Sequence, residues 1–332
     1  MKKALVTGGC GFIGSNLTKE LVKQGWQVDV VDDMSNGSLE LLDGLKTINV
    51  LNGTFMTAYY LQNPIRTKDQ VLVVHDDFSN EHVLAAVYKG QYDVIFHQAA
   101  IPRVSYSVEQ PWHTTDVNIS KTIHLFEAAR GKVKRIVFAS SSSVYGHALT
   151  LPTPEIYVKN PKSPYAWQKS AIEDYAKLAG ELYNQDIVCL RYFNVFGPGQ
   201  YGDSPYSTAV SAWCHAIKHG LECRSDGDGK QTRDMVYIDN VVHANILAAN
   251  REATFKGQCY NVATNESVSN NEILRYLKDR FTDRVIVKNA PVRAGDVKAT
   301  LGDISKANHD LNFKPKVYFW EGLEKTINWW KI

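Results

Sequence analysis

Short apolar runs alternate with helical patterns along the first half of the chain. The runs are rich in β-branched residues and end in polar or small residues, which is typical of buried parallel strands. They occupy residues 4–8, 27–32, 70–75, 92–98, 135–141 and 186–193. Segments with helical periodicity lie between most of them, at 12–24, 79–89, 113–130 and 164–184. This alternation predicts an α/β fold with a doubly wound parallel sheet, which binds ligands at the carboxyl ends of its strands.

The pattern changes after residue 196. Glycine-rich polar stretches at 197–205 and 225–234 predict loops at the edge of a cleft. Helical patterns return at 205–219, 239–250, 269–281 and 319–330. We therefore predict a dinucleotide-binding domain and a smaller C-terminal α/β substrate-binding domain. Their expected boundaries are 1–193 plus about 234–256 for the first, and 194–233 plus about 257–332 for the second.

One connection interrupts the alternation. Residues 38–69 join the second and third predicted strands. Connections of this length inside a domain are usually functional or carry structure of their own. We expect a short helix followed by an excursion, and the sequence assigns this segment no role.

The composition is that of an ordinary soluble globular enzyme. Of the 332 residues, 44% are apolar and 22% are charged, and the formal net charge is only +2 with the signs interspersed. Because nucleic-acid binding usually needs a concentrated basic face, no nucleic-acid partner is expected. The N-terminus lacks a signal-peptide pattern and no run of eighteen apolar residues occurs, so no membrane association is expected. Widely spaced cysteines predict free thiols in the cytoplasm, at Cys10, Cys189, Cys214, Cys223 and Cys259.

The sequence GGCGFIG after the first predicted strand indicates a dinucleotide site. Gly8, Gly11 and Gly14 allow a tight turn and a close approach of the main chain to a pyrophosphate at a helix N-terminus. Asp32 ends the second predicted strand, where a carboxylate accepts hydrogen bonds from ribose hydroxyls and repels a 2′-phosphate. The pattern therefore predicts a Rossmann-type fold with NAD, rather than NADP, as the cofactor.

A second motif joins a tyrosine and a lysine to a run of serines. Tyr165 and Lys169 are four residues apart on a predicted helix, so they share one face. An ammonium and the positive ring of a bound nicotinamide favour the phenolate and lower the pKa of the tyrosine. A phenolate then removes a hydroxyl proton while hydride leaves the same carbon. Four serines at 140–143 end the preceding strand, where side chains of this fold line the cleft.

These motifs together resemble the extended short-chain dehydrogenase/reductase family, most closely its bacterial UDP-N-acetylglucosamine 4-epimerases, over nearly the whole chain. The most specific parts are Tyr165-x-x-x-Lys169, the serine run, RYFNVFGPGQ at 191–200 and RDMVYIDNV at 233–241. The resemblance implies that Ser141 is the catalytic serine beside Tyr165 and Lys169. It implies cofactor contacts from Gly8, Gly11, Phe12, Ile13, Gly14, Asp32, Asp33, Asn36, Asp77, Phe78, Gln98, Ala99, Ala100, Asn118, Tyr165, Lys169 and Tyr192.

The same resemblance implies a nucleotide-sugar site. In this site a pair of arginines binds the diphosphate, because the two N–H groups of a guanidinium match the spacing of phosphate oxygens. The implied substrate contacts are Ser141, Ser143, Tyr165, Asn194, Arg233, Arg293, Asp296 and Thr300. Thr300 stands where relatives restricted to plain glucose and galactose can hold a tyrosine, and a small residue leaves room for a 2-acetamido group. We therefore expect interconversion of UDP-N-acetylglucosamine and UDP-N-acetylgalactosamine, with some activity on UDP-glucose and UDP-galactose.

The serines at 142 and 143 restrict the reaction. Relatives that remove water from the sugar carry an Asp-Glu pair there, and those that decarboxylate a nucleotide-linked uronic acid carry a glutamate. Elimination needs an acid for the leaving hydroxyl and a base for the carbon proton, and Ser142 and Ser143 supply neither. Oxidation at C4 and return of the hydride remain, so NAD is expected to be regenerated each turnover and to stay tightly bound.

Other interpretations stay open at this point. A UDP-glucuronate 4-epimerase or another nucleotide-sugar epimerase would use the same chemistry, and a non-catalytic NAD-binding sensor would share the fold. His215 and His219 have a spacing that binds metals, but a third ligand is lacking nearby, so no metal is expected. By resemblance we expect a homodimer in which the helices that hold Asn118 and Tyr165 pair across the interface.

Overall fold

Parallel strands form the centre of the structure. The computed structural model describes residues 1–51, 61, 67, 69–204, 207–292 and 297–332. In chain order its strands are β1 (Lys3–Thr7), β2 (Gln27–Asp32), β3 (Lys46–Leu51), β4 (Gln70–His75), β5 (Val94–His97), β6 (Arg135–Ser141), β7 (Ile187–Tyr192), β8 (Asn194–Phe196), β9 (Cys223–Asp226), β10 (Thr232–Arg233), β11 (Met235–Tyr237), β12 (Gln258–Val262), β13 (Val268–Ser269) and β14 (Val287–Ala290). Eight of these form one parallel sheet in the order β12-β7-β6-β5-β1-β2-β4-β3.

The helices cover both faces of this sheet. They are α1 (Phe12–Lys23), α2 (Glu81–Tyr88), α3 (Val104–Glu109), α4 (Pro111–Thr115), α5 (Thr122–Ala129), α6 (Pro164–Tyr183), α7 (Ala209–His219), α8 (Ile238–Asn250), α9 (Asn270–Phe281), α10 (Ser305–Leu311) and α11 (Phe319–Trp330). A π-helical turn at Asp116–Lys121 joins α4 to α5, and short 3₁₀ turns lie at Leu39–Leu42, Ser142–Tyr145 and Thr282–Arg284. None of the helices that the structure describes has the length and apolar character of a membrane span.

Two apolar layers hold the helices on the sheet. Leu17 of α1 and Val241 of α8 pack in one buried cluster, while Val83 of α2 and Ile172 of α6 pack in the other. Because both faces of the sheet are buried, its strands read as continuous apolar runs. The carboxyl ends of the strands are the edge at which polar side chains gather. The α/β, Rossmann-type fold predicted from the sequence is confirmed.

Helix α6 begins where the sequence motif requires. The side-chain oxygen of Ser163 accepts a hydrogen bond from the Ala166 main-chain N at 3.2 Å, and Pro164 occupies the first helical position. The helix ends at Tyr183 and is capped by Asn184, whose φ of 52° is left-handed. Tyr165 and Lys169 therefore lie in the first two turns of a long helix packed on the sheet.

Two strands of the large sheet were not predicted. β3 lies in the long connection at 38–69, after the short helical turn that we expected, and of its residues only Val50 is buried. An exposed edge strand lacks the continuous apolar run by which the other strands were recognised. β12 forms the opposite edge of the sheet, although we had placed residues beyond about 257 in the smaller domain. The division into two domains stays a prediction.

Candidate active site

The glycine-rich turn lies between β1 and α1. Gly8 has a φ of +68°, and a Cβ atom there would lie 2.8 Å from the main chain of Ala99. A Cβ atom on Gly14 would lie 2.1 Å from the carbonyl oxygen of Gly8. Gly11 precedes the helix without a capping side chain, so the first N–H groups of α1 stay available to an anion. The turn therefore forms a close-fitting cradle for a phosphate group.

Asp32 lies at the end of β2 beside this turn. Its two carboxylate oxygens accept hydrogen bonds from the main-chain N atoms of Cys10 and Met34, each at 2.9 Å. Burial raises the pKa of Asp32, and these two bonds oppose the rise. Each oxygen keeps further acceptor capacity. Asp32 is thus fixed in position to accept hydrogen bonds from ribose hydroxyls.

Asp77 and Phe78 follow β4 on the same edge of the sheet. Burial alone would raise the pKa of Asp77, but hydrogen bonds from Lys121 and Ser79 outweigh it, and the pKa is lowered. The Nζ atom of Lys121 lies 2.7 Å from an oxygen of Asp77. The ring of Phe78 packs against His97, with 4.8 Å between ring centroids. Lys121 was not predicted as a site residue. Its role depends on a contact between the π-helical turn before α5 and the loop after β4, which are distant in the sequence.

A cavity of about 1220 Å³ runs along the carboxyl ends of the strands. This exceeds the usual range for a single small-molecule site. Of the residues implied by the sequence resemblance, the cavity is bordered by Gly8, Gly11, Phe12, Ile13, Gly14, Asp32, Asp33, Asn36, Asp77, Phe78, Gln98, Ala99, Ala100, Tyr165, Lys169, Tyr192, Asn194 and Arg233. The remaining candidates, Arg293 and Asp296, fall outside the described residues, and Ser141, Ser143, Asn118 and Thr300 do not border the cavity.

Tyr165 and Lys169 border this cavity, and Ser141 contacts Tyr165 without bordering the cavity itself. The hydroxyl of Ser141 is hydrogen-bonded to the Tyr165 side chain. The Nζ atom of Lys169 donates to the carbonyl oxygen of Ala139 at 2.8 Å and lies 5.9 Å from the centre of the Tyr165 ring. The main-chain N of Ser143 donates to the Ser141 Oγ atom at 3.1 Å, which fixes that side chain. The arrangement places a phenol, an ammonium and a hydroxyl within one small region.

The pKa of Tyr165 differs from our expectation. Burial raises it to about 12, and the hydrogen bond from Ser141 only partly opposes this rise. Burial also lowers the pKa of Lys169 to about 7, although the carboxylate of Glu173 acts in the opposite direction. The protein's own groups therefore do not bring the pKa of Tyr165 below its ordinary value. A bound NAD supplies a hydride acceptor and the additional positive charge that the phenolate requires.

The candidates away from the cavity have structural contacts. Asn118 accepts from the main-chain N of Ile101 at 2.9 Å and donates to Gln168 at 2.8 Å, so it connects the β5 loop to α6. Thr300 donates to Asn194 at 3.4 Å. The Oγ atom of Ser143 is buried and has no hydrogen-bond partner among the described residues. Their predicted roles toward ligands stay predictions.

Sequence reasoning missed two groups of residues at the site. Arg103 borders the cavity three residues after the predicted cofactor contact Ala100, and its Nε atom donates to Ser105 at 2.9 Å. Glu173 lies one helical turn beyond Lys169 and pairs with Arg191. The helical spacing of Glu173 from Lys169 was a usable signal. The position of Arg103 depends on the loop after β5, which the sequence pattern does not determine.

No metal centre is found in the part of the chain that the structure describes. His215 and His219 have ring centroids 4.4 Å apart on α7. Among the described residues no group of three or more potential metal ligands occurs. The cysteines are free thiols, as predicted.

Comparisons with known proteins agree with this geometry. Residues 4–263 match the model of the NAD-dependent epimerase/dehydratase family. The putative UDP-glucose 4-epimerase of Methanocaldococcus jannaschii is 33% identical over 98% of both chains. The structure of UDP-N-acetylglucosamine 4-epimerase from Methanobrevibacter ruminantium M1, in complex with UDP-N-acetylmuramic acid, is 33% identical over 99% of this chain and 98% of that one, with a TM-score of 0.86.

A further structure contains the cofactor. It is UDP-glucuronic acid 4-epimerase from Bacillus cereus in complex with UDP-glucuronic acid and NAD. It is 28% identical over 99% of each chain, with a TM-score of 0.82. The glycine turn and Asp32 of this chain fit such a dinucleotide. The chain therefore belongs to the NAD-dependent epimerase/dehydratase family, and it is an enzyme whose cofactor is NAD.

Proposed function

We propose that this enzyme is a UDP-sugar 4-epimerase that interconverts UDP-N-acetylglucosamine and UDP-N-acetylgalactosamine, with weaker activity on UDP-glucose and UDP-galactose. One observation carries the proposal. Tyr165, hydrogen-bonded to Ser141, borders the cavity beside Lys169, and the turn that follows Ser141 starts with serines and not acids. The site thus has a proton acceptor for a hydroxyl but lacks, in that turn, the acid that elimination requires.

The roles of the residues follow from their positions. Tyr165 removes the proton of the C4 hydroxyl, and Ser141 holds the reacting oxygen by a hydrogen bond. Lys169 stabilises the phenolate by its charge. Arg233 at the cavity wall binds the diphosphate while the 4-keto sugar turns to present its other face. Tyr165 then returns the proton, and the resident cofactor ends the cycle in its starting form.

The preference for the N-acetylated sugar is supported by Thr300. Its hydroxyl contacts Asn194, which borders the cavity. By the resemblance to relatives restricted to plain sugars, a tyrosine at this position crowds an acetamido group, whereas threonine leaves room for it. The likeness to the Methanobrevibacter ruminantium enzyme, a UDP-N-acetylglucosamine 4-epimerase, supports the same preference.

A second candidate substrate is a UDP-hexuronate such as UDP-glucuronate. Arg103 borders the same cavity as Tyr165, and the only hydrogen bond of its guanidinium among the described residues is the one to Ser105. A guanidinium with free N–H groups is suited to a carboxylate. This observation favours a sugar with an acidic substituent, as in the complex of the Bacillus cereus enzyme.

We also propose a homodimer in the cytoplasm. Large apolar side chains are exposed on α4 and α6, with Trp112 83%, Trp167 50% and Leu182 62% exposed. An exposed apolar surface of this kind is typical of an interface between chains. The free cysteines favour a reducing compartment.

A substrate panel tests the proposal. Purified protein without added cofactor is mixed with UDP-N-acetylglucosamine, UDP-glucose or UDP-glucuronate, and products are followed by NMR. We expect the fastest turnover with UDP-N-acetylglucosamine and none with Tyr165→Phe. Tyr88→Phe, at an exposed position, is the matched control. Equal or better turnover of UDP-glucose would contradict the substrate preference, and no turnover of any sugar would favour a non-catalytic NAD-binding protein.

A further inference from the structure

A buried ion pair lies directly behind the candidate active site. Arg191 of β7 donates to both carboxylate oxygens of Glu173, from Nε at 2.8 Å and from Nη2 at 2.7 Å. Ser140 donates from Oγ to the same carboxylate at 2.6 Å. The side chains of Glu173 and Arg191 are only 2% and 4% exposed. A bidentate pair with a third donor is among the stronger arrangements for fixing a carboxylate.

Three consecutive residues of β6 are thereby joined to three residues of α6. The Ala139 carbonyl oxygen accepts from Lys169, the Ser140 hydroxyl donates to Glu173, and the Ser141 hydroxyl bonds to Tyr165. Ser140 and Arg191 are also register partners on neighbouring strands. Glu173 is therefore the point at which α6, β6 and β7 are held together next to the catalytic side chains.

We propose that Glu173 is a positioning residue for catalysis, which fixes the catalytic face of α6 against the end of β6 and places a buried carboxylate one helical turn from Lys169. The inference rests on the proposed epimerase function. Glu173 acts through Ser140 and Lys169 and does not border the cavity.

The charge environment of Lys169 gives this role a measurable consequence. Burial lowers its pKa, and the carboxylate of Glu173 on α6 opposes this and favours the ammonium. Cys189 on β7 also faces Lys169, but the pKa of this buried thiol is raised well above its ordinary value, so it stays neutral. His97 on β5 is also close, but burial and the charge of Lys169 hold its pKa near 3, so it stays neutral. Two cations face Glu173, the guanidinium of Arg191 and the ammonium of Lys159, whose Nζ atom lies 3.6 Å from a Glu173 oxygen. Loss of the Glu173 charge leaves both without this counterion, although Arg191 keeps its bond to Tyr145, and lowers the pKa of Lys169.

Three variants separate charge from position. In Glu173→Gln we expect kcat to fall at least tenfold with KM changed less than threefold, and the alkaline limb of the pH–kcat profile to move about one unit toward acid. Glu173→Asp keeps the charge and should restore the position of that limb. Ser140→Ala removes only one hydrogen bond, so we expect kcat to fall about threefold without a shift of the limb.

The second buried ion pair of the sheet is a matched control. The Nη2 atom of Arg135 lies 2.6 Å from the Oδ2 atom of Asp186, and the two side chains are 2% and 9% exposed. This pair lies at the amino-terminal end of β6 and β7, opposite the end that carries the candidate site. Asp186→Asn should lower stability as Glu173→Gln does, yet leave the pH profile in place. The positioning role is wrong if Asp186→Asn moves the alkaline limb of the pH–kcat profile as far as Glu173→Gln does. It is also wrong if Glu173→Gln leaves this limb unmoved.

The same assay separates this proposal from the proposed function. Absence of turnover by the wild-type enzyme on every UDP-sugar refutes the epimerase function. Wild-type turnover with unchanged profiles in the folded Glu173 variants refutes only the positioning role. Folding is checked by circular dichroism and by the NAD that co-purifies. If Glu173→Gln does not fold, Glu173→Asp and Ser140→Ala still decide: unchanged kcat in both contradicts the proposal.

Discussion

The ammonium of Lys169 is bonded to the carbonyl oxygen of Ala139, 2.8 Å away, beneath the end of β6. The lysine is only 3% exposed. A buried charge with a single main-chain acceptor is stabilised less than it was in water, so the protein holds this side chain at a cost to its folding free energy. Such a cost is typical of a group kept for function rather than for stability.

The cost should appear in the pH dependence of unfolding. Burial lowers the pKa of Lys169 to about 7 in the folded chain, whereas an unperturbed lysine titrates near 10.4. Between these values the unfolded chain binds the additional proton, so folding stability rises as pH rises from about 7 to about 10. Relative to Lys169→Met, wild type should gain about 2 kcal/mol between pH 7 and 9, measured by denaturant titration.

The control for that measurement lies on the same helix. Lys177 of α6 is exposed, so Lys177→Met should unfold with the pH dependence of wild type. A Lys169→Met variant whose stability runs parallel to wild type from pH 7 to 9 would show that the folded lysine titrates normally.

We predict that a side chain in the glycine turn prevents the enzyme from retaining NAD. A Cβ atom on Gly14 would lie 2.1 Å from the Gly8 carbonyl oxygen, so Gly14→Ala displaces the turn that cradles the phosphates. We expect the purified variant to contain less than a tenth of the wild-type NAD, measured after denaturation by chromatography. Gly25→Ala is the control, because Gly25 has a φ of +80° and no neighbour within 4 Å. It should lose about 1 kcal/mol of stability and retain its NAD; full NAD content in Gly14→Ala would refute the role of the turn.

The sequence was most informative where spacing alone determines position. Gly8, Asp32, Tyr165 and Lys169 follow strands or share a helix face, and all border the cavity. The position of Arg103 was not predictable in this way, because it lies in a loop whose path depends on tertiary contacts. The buried pKa of Tyr165 was also not predictable, since the loss of solvation depends on how closely the chain packs around the ring.

We predict that the size of the side chain at Thr300 determines whether N-acetylated sugars are accepted. In Thr300→Tyr a ring replaces a side chain whose hydroxyl contacts Asn194 at the cavity wall. We expect kcat/KM for UDP-N-acetylglucosamine to fall at least tenfold, while that for UDP-glucose falls less than threefold, since steric exclusion of a group this large costs more than ~1.4 kcal/mol. Thr300→Ser keeps the hydroxyl and should behave as wild type. An equal loss on both sugars in Thr300→Tyr would indicate general disruption rather than exclusion of the acetamido group.

We predict that the exposed tryptophan of α4 lies in the interface of a homodimer. Trp112 is 83% exposed and lies beside α6, where Trp167 is also exposed. If this surface is the interface of a homodimer, Trp112→Ser should shift the molar mass in light scattering toward that of a monomer. Trp320→Ser, at a tryptophan of α11 that is 44% exposed, should leave the dimer intact. A monomeric wild-type protein, or a dimer unaffected by Trp112→Ser, would contradict this interface.

The central claim is that Tyr165 and the resident NAD invert C4 by removing and returning the same hydride. The most direct measurement uses UDP-N-acetylglucosamine deuterated at C4, incubated with the purified enzyme in ordinary water and without added cofactor. We expect UDP-N-acetylgalactosamine that retains the deuterium at C4, because the hydride never exchanges with solvent. Product that has lost the deuterium to water would indicate proton abstraction at carbon and would contradict the account.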